Sequence, residues 1–252
     1  MRSKRIDEIL EYINEHKTVS LDNLCEVFNV SKNTIRRDLD FLSEKSLIKK
    51  VYGGVTLVQN NTMISYEDRD IKNSSTKLSL AKIAASFIDD GDTIFLDSGT
   101  TVVNIIDFLA DKKDITIFTT NLTAIIKAIP YNNLKIVTLS GILNRETNSF
   151  AGVNCTEVLR NYNLKKCFMG CTGISLENGL TNSSYSEYEI KKIAIEKSNY
   201  RFLLTDSTKF DNVALMTFAN IKDLNYVITD KMPSNKFIDY FKDNDIKLIL
   251  PK

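Results

Sequence analysis

Two groups of residues in this 252-residue chain have types and spacings that could do chemistry. The first is "SKNTIRRDLDFLSEKSLIKKVYGGV", Ser31 to Val55, with two adjacent arginines on a helical pattern and two lysines before a Gly-Gly turn. Cations and amides on one helix face suit hydrogen bonding to base edges and neutralisation of phosphate. The second group is a set of polar clusters where apolar runs stop: "LDSGTT" at 96–101, "FTTN" at 118–121, "LSG" at 139–141 and "LTDSTKF" at 204–210. Open α/β sheets bind ligands outside the carboxyl ends of their strands, so these clusters suit a small polar ligand.

The charge distribution singles out the first group. Residues 1–30 carry four basic and six acidic side chains, residues 31–50 carry six against three, and the rest is balanced at 23 against 23. The net charge of +1 therefore hides a local basic patch. The apolar runs fall far short of the ~20 residues that span a bilayer, and "MRSKRIDEILEYI" does not read as a secretory signal. A cytoplasmic protein is expected. Cys25, Cys155, Cys167 and Cys171 form no CxxC pair and suit reduced thiols. With a single histidine, at position 16, zinc is not expected, and the absence of Walker A and GxGxxG patterns indicates no nucleotide cofactor.

The elements that must position the basic patch can be read locally. Ile6, Ile9, Leu10 and Ile13 mark an amphipathic first helix. Ser20 caps a second, with Leu21, Leu24, Val27 and Phe28 as its apolar face. Asn29-Val30 turns the chain and Ser31 caps a third helix, striped by Ile35, Leu39 and Leu42. At ~100° per residue, Asn33 and Arg37 point away from that stripe, flanked by Lys32, Thr34 and Arg36. This is a helix-turn-helix with a recognition helix. "LIKKVYGGVTLV" adds a two-stranded wing around Gly53-Gly54. Asn33 and Arg37 are expected to reach bases, and Lys32, Arg36, Lys49 and Lys50 to meet phosphates.

The stretch "LCEVFNVSKNTIRRDLDFLSEKSLIKKVYGGV" resembles the DNA-binding segment of the DeoR family of bacterial transcription regulators. Val30-Ser31, Thr34 to Leu39 and Leu42 match its "VS-x-x-TIRRDL-x-x-L" motif. Tyr52 stands where that family usually has histidine, and Val55 where it has alanine; the resemblance implies that Tyr52 donates to phosphate. Tyr66, Arg69, Asn73 and Lys77 continue the family pattern.

Beyond a polar connector, helical and strand-like segments alternate, which indicates an α/β domain on a mostly parallel sheet. The expected organisation is a winged helix-turn-helix at 1–57, a linker at 58–74 and an effector domain at 75–252. The family resemblance extends through this last part and implies a fold like ribose-5-phosphate isomerase and a pocket for a phosphorylated sugar. The residues it implicates are Lys77; Asp97, Ser98, Gly99, Thr100 and Thr101; Thr120 and Asn121; Glu187 and Lys191; and Asp206 and Lys209, with Gly152, Gly170, Gly173 and Asp230 in support. Ser140-Gly141 replaces a common Gly-Gly, and Lys165-Lys166 stands where an aspartate is usual. From the residues themselves, Lys77, Lys191 and Lys209 are candidates to balance a phosphate, and Asp97 to accept from sugar hydroxyls or fix its loop.

The function expected is a repressor released from operator DNA by a phosphorylated sugar. Recognition of two half-sites requires a homodimer or homotetramer. The competing reading is a sugar-phosphate isomerase-like enzyme with Asp97 or Glu187 as base. A third is a DNA-binding protein whose C-terminal domain binds no small molecule.

Overall fold

The computed structural model describes residues 2–16, 18–44, 48–51, 53–57 and 66–251. The chain divides into two compact units, Met1–Thr62 and Met63–Lys252.

In the first unit, α1 (Arg2–His16), β1 (Thr18–Ser20), α2 (Leu21–Phe28) and α3 (Lys32–Glu44) precede the hairpin of β2 (Ile48–Val51) and β3 (Gly54–Leu57). Ile6, Ile9, Ile13, Leu24, Ile35, Leu39 and Leu42 bury together with Val19, Ile48 and Val55. Val27 departs from expectation: it is 46% exposed, because the apolar face of α2 centres on Leu24 instead. Ser20 caps α2 by accepting from the Asn23 amide at 3.1 Å, and Asn29 ends it in the left-handed region at φ 48°. Ser31 caps α3 through the Thr34 amide at 3.3 Å.

The wing has three strands, not two, in the order β1-β3-β2. The two glycines serve different needs. Gly53 turns the chain at φ +79°, and its carbonyl accepts from the Leu21 amide at 3.0 Å. Gly54 lies so close to β1 that a Cβ would stand 2.3 Å from the Val19 carbonyl oxygen.

The second unit opens with α4 (Tyr66–Ile71), which lies where a connector was expected. Six residues are too few to show helical periodicity, so the helix is held by its surroundings: Tyr66 is buried and the Lys77 ammonium takes the carbonyls of Arg69 and Asp70. Then follow α5 (Ser74–Ala85), β4 (Thr93–Leu96), a 3₁₀ helix over Val102–Phe108, β5 (Ile115–Thr119), α6 (Leu122–Ala128), β6 (Leu134–Thr138) and the hairpin of β7 (Ile142–Asn144) and β8 (Ser149–Ala151). After it come α7 (Val153–Arg160), β9 (Leu164–Met169), β10 (Gly173–Ser175), β11 (Gly179–Asn182), α8 (Tyr185–Glu196) and β12 (Ser198–Leu204). β13 (Met216–Ala219), β14 (Tyr226–Ile228), α9 (Asn235–Asp243) and β15 (Lys247–Ile249) complete the fold.

Seven strands pair in parallel in the order β15-β14-β12-β9-β4-β5-β6. Both faces are covered, which explains why these strands read as unbroken apolar runs. Alternate residues go to opposite sides: Phe95, Cys167, Met169, Leu203 and Val227 pack with α8 and α9, while Ile94, Leu96, Phe168, Phe202 and Ile228 pack with α5 and the 3₁₀ helix. Burial pushes the Cys167 thiol up to about 12, so it is inert packing.

From β4 the chain winds outward through β5 and β6, and from β9 it winds the other way through β12, β14 and β15. The winding direction reverses between β4 and β9, the position at which such sheets open a crevice for ligand.

Lys165 and Lys166, unusual at their position by the family resemblance, have a structural role at the opposite end of these strands. Lys166 Nζ bonds Asp92 at 2.5 Å and Asp89 at 2.7 Å, and Lys165 reaches Asp92 at 2.6 Å. Burial raises the Asp92 carboxyl, but hydrogen bonds from the two lysines outweigh it and hold the group below the usual range. A depressed carboxyl contributes stability above its unfolded value, near pH 4, and loses it as pH falls through the folded value. Asp92→Asn should therefore cost about 3 kcal/mol at neutral pH, since it leaves a buried lysine short of charge. It should also flatten the loss of stability below about pH 4, read by urea melts across that range. Equal acid sensitivity in variant and wild type would contradict this account.

Candidate functional site

The DNA-facing surface is built on α3. Ser31, Lys32, Asn33, Arg36 and Arg37 are exposed and Thr34 is half-buried, its hydroxyl 3.0 Å from that of Ser31. Asp38, inside the same "IRRDL" run, faces the other way: it is buried and accepts from Arg5 Nε at 2.8 Å, tying α1 to α3. Lys49 and Lys50 are exposed on β2. Tyr52 lies outside the described residues.

Between α3 and the wing lies a concavity of about 430 Å³ lined by Lys32, Arg36 and Lys50 together with Asp22 and Asp40. Lys32 pairs with Asp22 at 2.5 Å and Lys50 with Asp40. Two of the expected phosphate-binding lysines thus carry intramolecular carboxylate partners, a feature that the charge count did not reveal.

The second site lies where β4 and β9 end. Lys191 on α8 is 4% exposed, and its ammonium lies 2.5 Å from Asp97 Oδ2 and 3.1 Å from the Gly170 carbonyl. The Gly170 amide donates to the same Asp97 oxygen at 3.0 Å. Lys191 therefore arrives already neutralised. It positions Asp97, and Asp97 joins the loops after the two central strands.

The neighbouring loop residues form a second network. Ser98 Oγ donates to Glu187 Oε1, and Ser149 Oγ donates to the same oxygen at 3.1 Å. Thr147 Oγ1 lies 2.8 Å from Ser149 Oγ. Gly99 packs beside Gly170, Thr100 is buried with its carbonyl accepting from Asn104 at 3.0 Å, and Thr101 leads into the 3₁₀ helix. The Thr120 carbonyl accepts from the Phe150 amide at 2.9 Å. Asn121 Oδ1 caps α6 through the Ala124 amide at 3.1 Å, while its Nδ2 is buried with no hydrogen-bond partner. The Tyr66 hydroxyl is buried against Asn121 and Thr123, both of which act on it as hydrogen-bonding neighbours. An unpaired buried polar group costs about 1–3 kcal/mol, so a ligand that satisfies the Asn121 amide gains binding energy there.

Lys77 on α5 is 6% exposed, and burial pulls its ammonium below the ordinary lysine value against the pull of Asp70 and Asp206. Lys209 lies near enough to oppose it as a like charge. Asp206 caps the following turn through the Thr208 amide at 2.9 Å. Ser140 and Gly141 are exposed and structurally engaged: the Ser140 carbonyl accepts from the Cys155 thiol, and a Cβ on Gly141 would stand 2.5 Å from the Ala151 carbonyl oxygen. Ser149 and Thr147 carry no signal in the sequence, and Tyr66 stands there only as part of the family pattern without a role at the site. The hairpin of β7 and β8 and the seating of α4 bring these hydroxyls to it.

The sequence matches the DeoR-like helix-turn-helix domain over residues 5–61 and the DeoR C terminal sensor domain over residues 72–231. The chain belongs to the DeoR family. It is 42% identical to the HTH-type transcriptional regulator IolR of Bacillus subtilis over 250 residues, 99% of this chain and 100% of that one. It is 28% identical to the glycerol-3-phosphate regulon repressor of Escherichia coli, covering 99% of each. Among solved structures, ribose 5-phosphate isomerase A of Methanocaldococcus jannaschii aligns over 55% of each chain at 21% identity with a TM-score of 0.40, a likeness from which no activity follows. Among the described residues no helix is long and apolar enough to cross a membrane.

Two substitutions probe the DNA face of this DeoR-family chain. Arg37→Ala should cost roughly 1–3 kcal/mol and relax base preference at one operator position, measured on fragments selected from random DNA. A uniform loss on all sequences would make Arg37 a phosphate contact. Asp40→Asn should free Lys50, raising affinity for arbitrary DNA a few-fold and steepening its salt dependence. An unchanged salt slope would mean that Lys50 does not meet phosphate.

Proposed function

We propose that the chain is a repressor of a carbohydrate uptake or catabolism operon, released from its operator by a phosphorylated sugar. One observation carries the effector half of this reading. At the point where the sheet reverses its winding, buried carboxylate, hydroxyl, amide and lysine groups converge, and the buried Asn121 amide nitrogen there has no hydrogen-bond partner. Such groups suit a ligand rich in hydroxyls that also carries an anion. In this reading Asp97 and Glu187 accept from sugar hydroxyls, Asn121 and Tyr66 complete the polar contact, and Lys77 and Lys209 face the phosphate.

Operator recognition by a homodimer or homotetramer places two α3 helices in successive major grooves. If the ligand favours an arrangement with mis-spaced recognition helices, operator affinity falls, and DNA weakens ligand binding by the same factor. The enzyme reading has less support. Asp97 Oδ2 and Glu187 Oε1 each already accept from two donors, which suits fixed binding groups better than a base that must take up a proton. The relatives named above are transcriptional regulators.

A thermal-shift screen of the purified protein against sugar phosphates, with the unphosphorylated sugars as controls, tests the proposal. A ligand at 100 times its Kd should stabilise the native state by ~2.7 kcal/mol. A response confined to phosphorylated sugars, without turnover, is expected. Asp97→Asn should lose that response while retaining operator binding. A blank panel would remove the sugar-phosphate reading, and turnover would restore the enzyme.

A further inference from the structure

α4 is the first described element after the wing in chain order, and three separate parts of the candidate pocket hold it. At its start, buried Tyr66 turns its hydroxyl toward Asn121 and Thr123, in the loop after β5 and the start of α6. On its flank, Glu67 accepts from Asn148 Nδ2 in the hairpin of β7 and β8 at 3.5 Å. At its end, the Lys77 ammonium bonds the Arg69 carbonyl and lies 3.5 Å from the Asp70 carbonyl. The last carbonyls of a helix have no partners within the helix, so Lys77 serves as the C-terminal cap of α4.

Lys77 lies near enough to Asp206 and Lys209 for both to act on it as charges. Its ammonium is desolvated, so it gains more from an anion than from neutral carbonyls, and a charge-assisted bond is about twice as strong as a neutral one. Resting on the sugar-phosphate reading above, we infer that α4 relays pocket occupancy to the DNA-binding unit. Lys77 acts as its switch, transferring from the α4 carbonyls to the phosphate of a bound sugar phosphate. Losing its cap and its hold on Lys77, α4 loosens. Tyr66 and Lys77 are then positioning residues of the regulatory response as well as neighbours of the ligand.

The experiment uses the full-length protein, hydrogen exchange read by mass spectrometry, and operator fragments selected from random DNA. Without any phosphate, Lys77→Met should raise exchange of the α4 amides about 10-fold and weaken operator binding about 10-fold, while peptides from β4 and β5 keep wild-type protection. Lys77→Arg should restore both. In the wild type, saturating inorganic phosphate as probe should raise α4 exchange in the same way, and in Lys77→Met it should add nothing. The wild-type arm stands even if Lys77→Met proves poorly folded. Wild-type α4 protection in a folded Lys77→Met protein, or loosened α4 with unchanged operator affinity, would overturn the relay. Absence of any thermal shift with inorganic phosphate and the whole sugar-phosphate panel would overturn the ligand reading and the switch with it. The phosphate-free comparison of Lys77→Met with wild type would still decide whether α4 governs DNA binding.

Discussion

The contact on which the effector unit's site depends is the buried ion pair of Lys191 and Asp97. It sits where the parallel sheet reverses its winding, and it joins the ends of β4 and β9 through the Gly170 peptide, whose amide and carbonyl both take part. A buried pair adds little net stability, because desolvation offsets most of the attraction. Removing one partner is costly, however, and that asymmetry makes the pair a device for fixing geometry. With Lys191 neutralised, Asp97 cannot swing out, Ser98 and Gly99 are held behind it, and Ser98 meets Glu187 on the same helix that supplies Lys191. The crevice is thereby pre-shaped, and binding does not have to order its walls.

Legibility of the fold followed the range of the interactions involved. In the DNA-binding unit the signals are local: Ser20 and Ser31 cap their helices within three residues, and Ile35, Leu39 and Leu42 recur at helical spacing. These were readable directly. What was not readable was non-local. The third strand of the wing, β1, is three residues long, and the need for glycine at position 54 comes from the Val19 carbonyl across the sheet. Val27 is a smaller case of the same kind, since it lies at the edge of the α2 apolar arc and only the tertiary packing around Leu24 decides that it stays exposed.

In the effector unit the strands and the polar clusters at their ends were visible, because each is a run of adjacent residues. Their pairing was not. Lys191 lies 94 residues from Asp97 and Glu187 lies 89 from Ser98, so no spacing rule connects them. The internal counter-charge that Asp97 supplies to Lys191 is therefore invisible in the sequence. The short α4 carries no helical signature in the sequence for a related reason. A single helical turn and a half has no periodicity to detect, and its stability comes from Tyr66, Glu67 and Lys77 contacting distant parts of the chain.

The DNA face shows how a chain of net charge +1 can still discriminate among DNA sequences. Non-specific affinity comes from cations meeting phosphates, and here Lys32 and Lys50 are partly occupied by Asp22 and Asp40. Exposed pairs of this kind are worth little, so they moderate the local positive charge without cancelling it. Among the described residues exposed Arg37 has no such ion pair, and Asn33 is neutral, so both side chains keep their hydrogen-bonding capacity for a partner. A lower non-specific background also eases regulation. An allosteric coupling of about 1–3 kcal/mol shifts operator occupancy effectively only if the affinity it subtracts from is not far in excess. Balanced charge over the rest of the chain follows from the same requirement, since a broadly basic effector unit would hold DNA whatever its pocket contained.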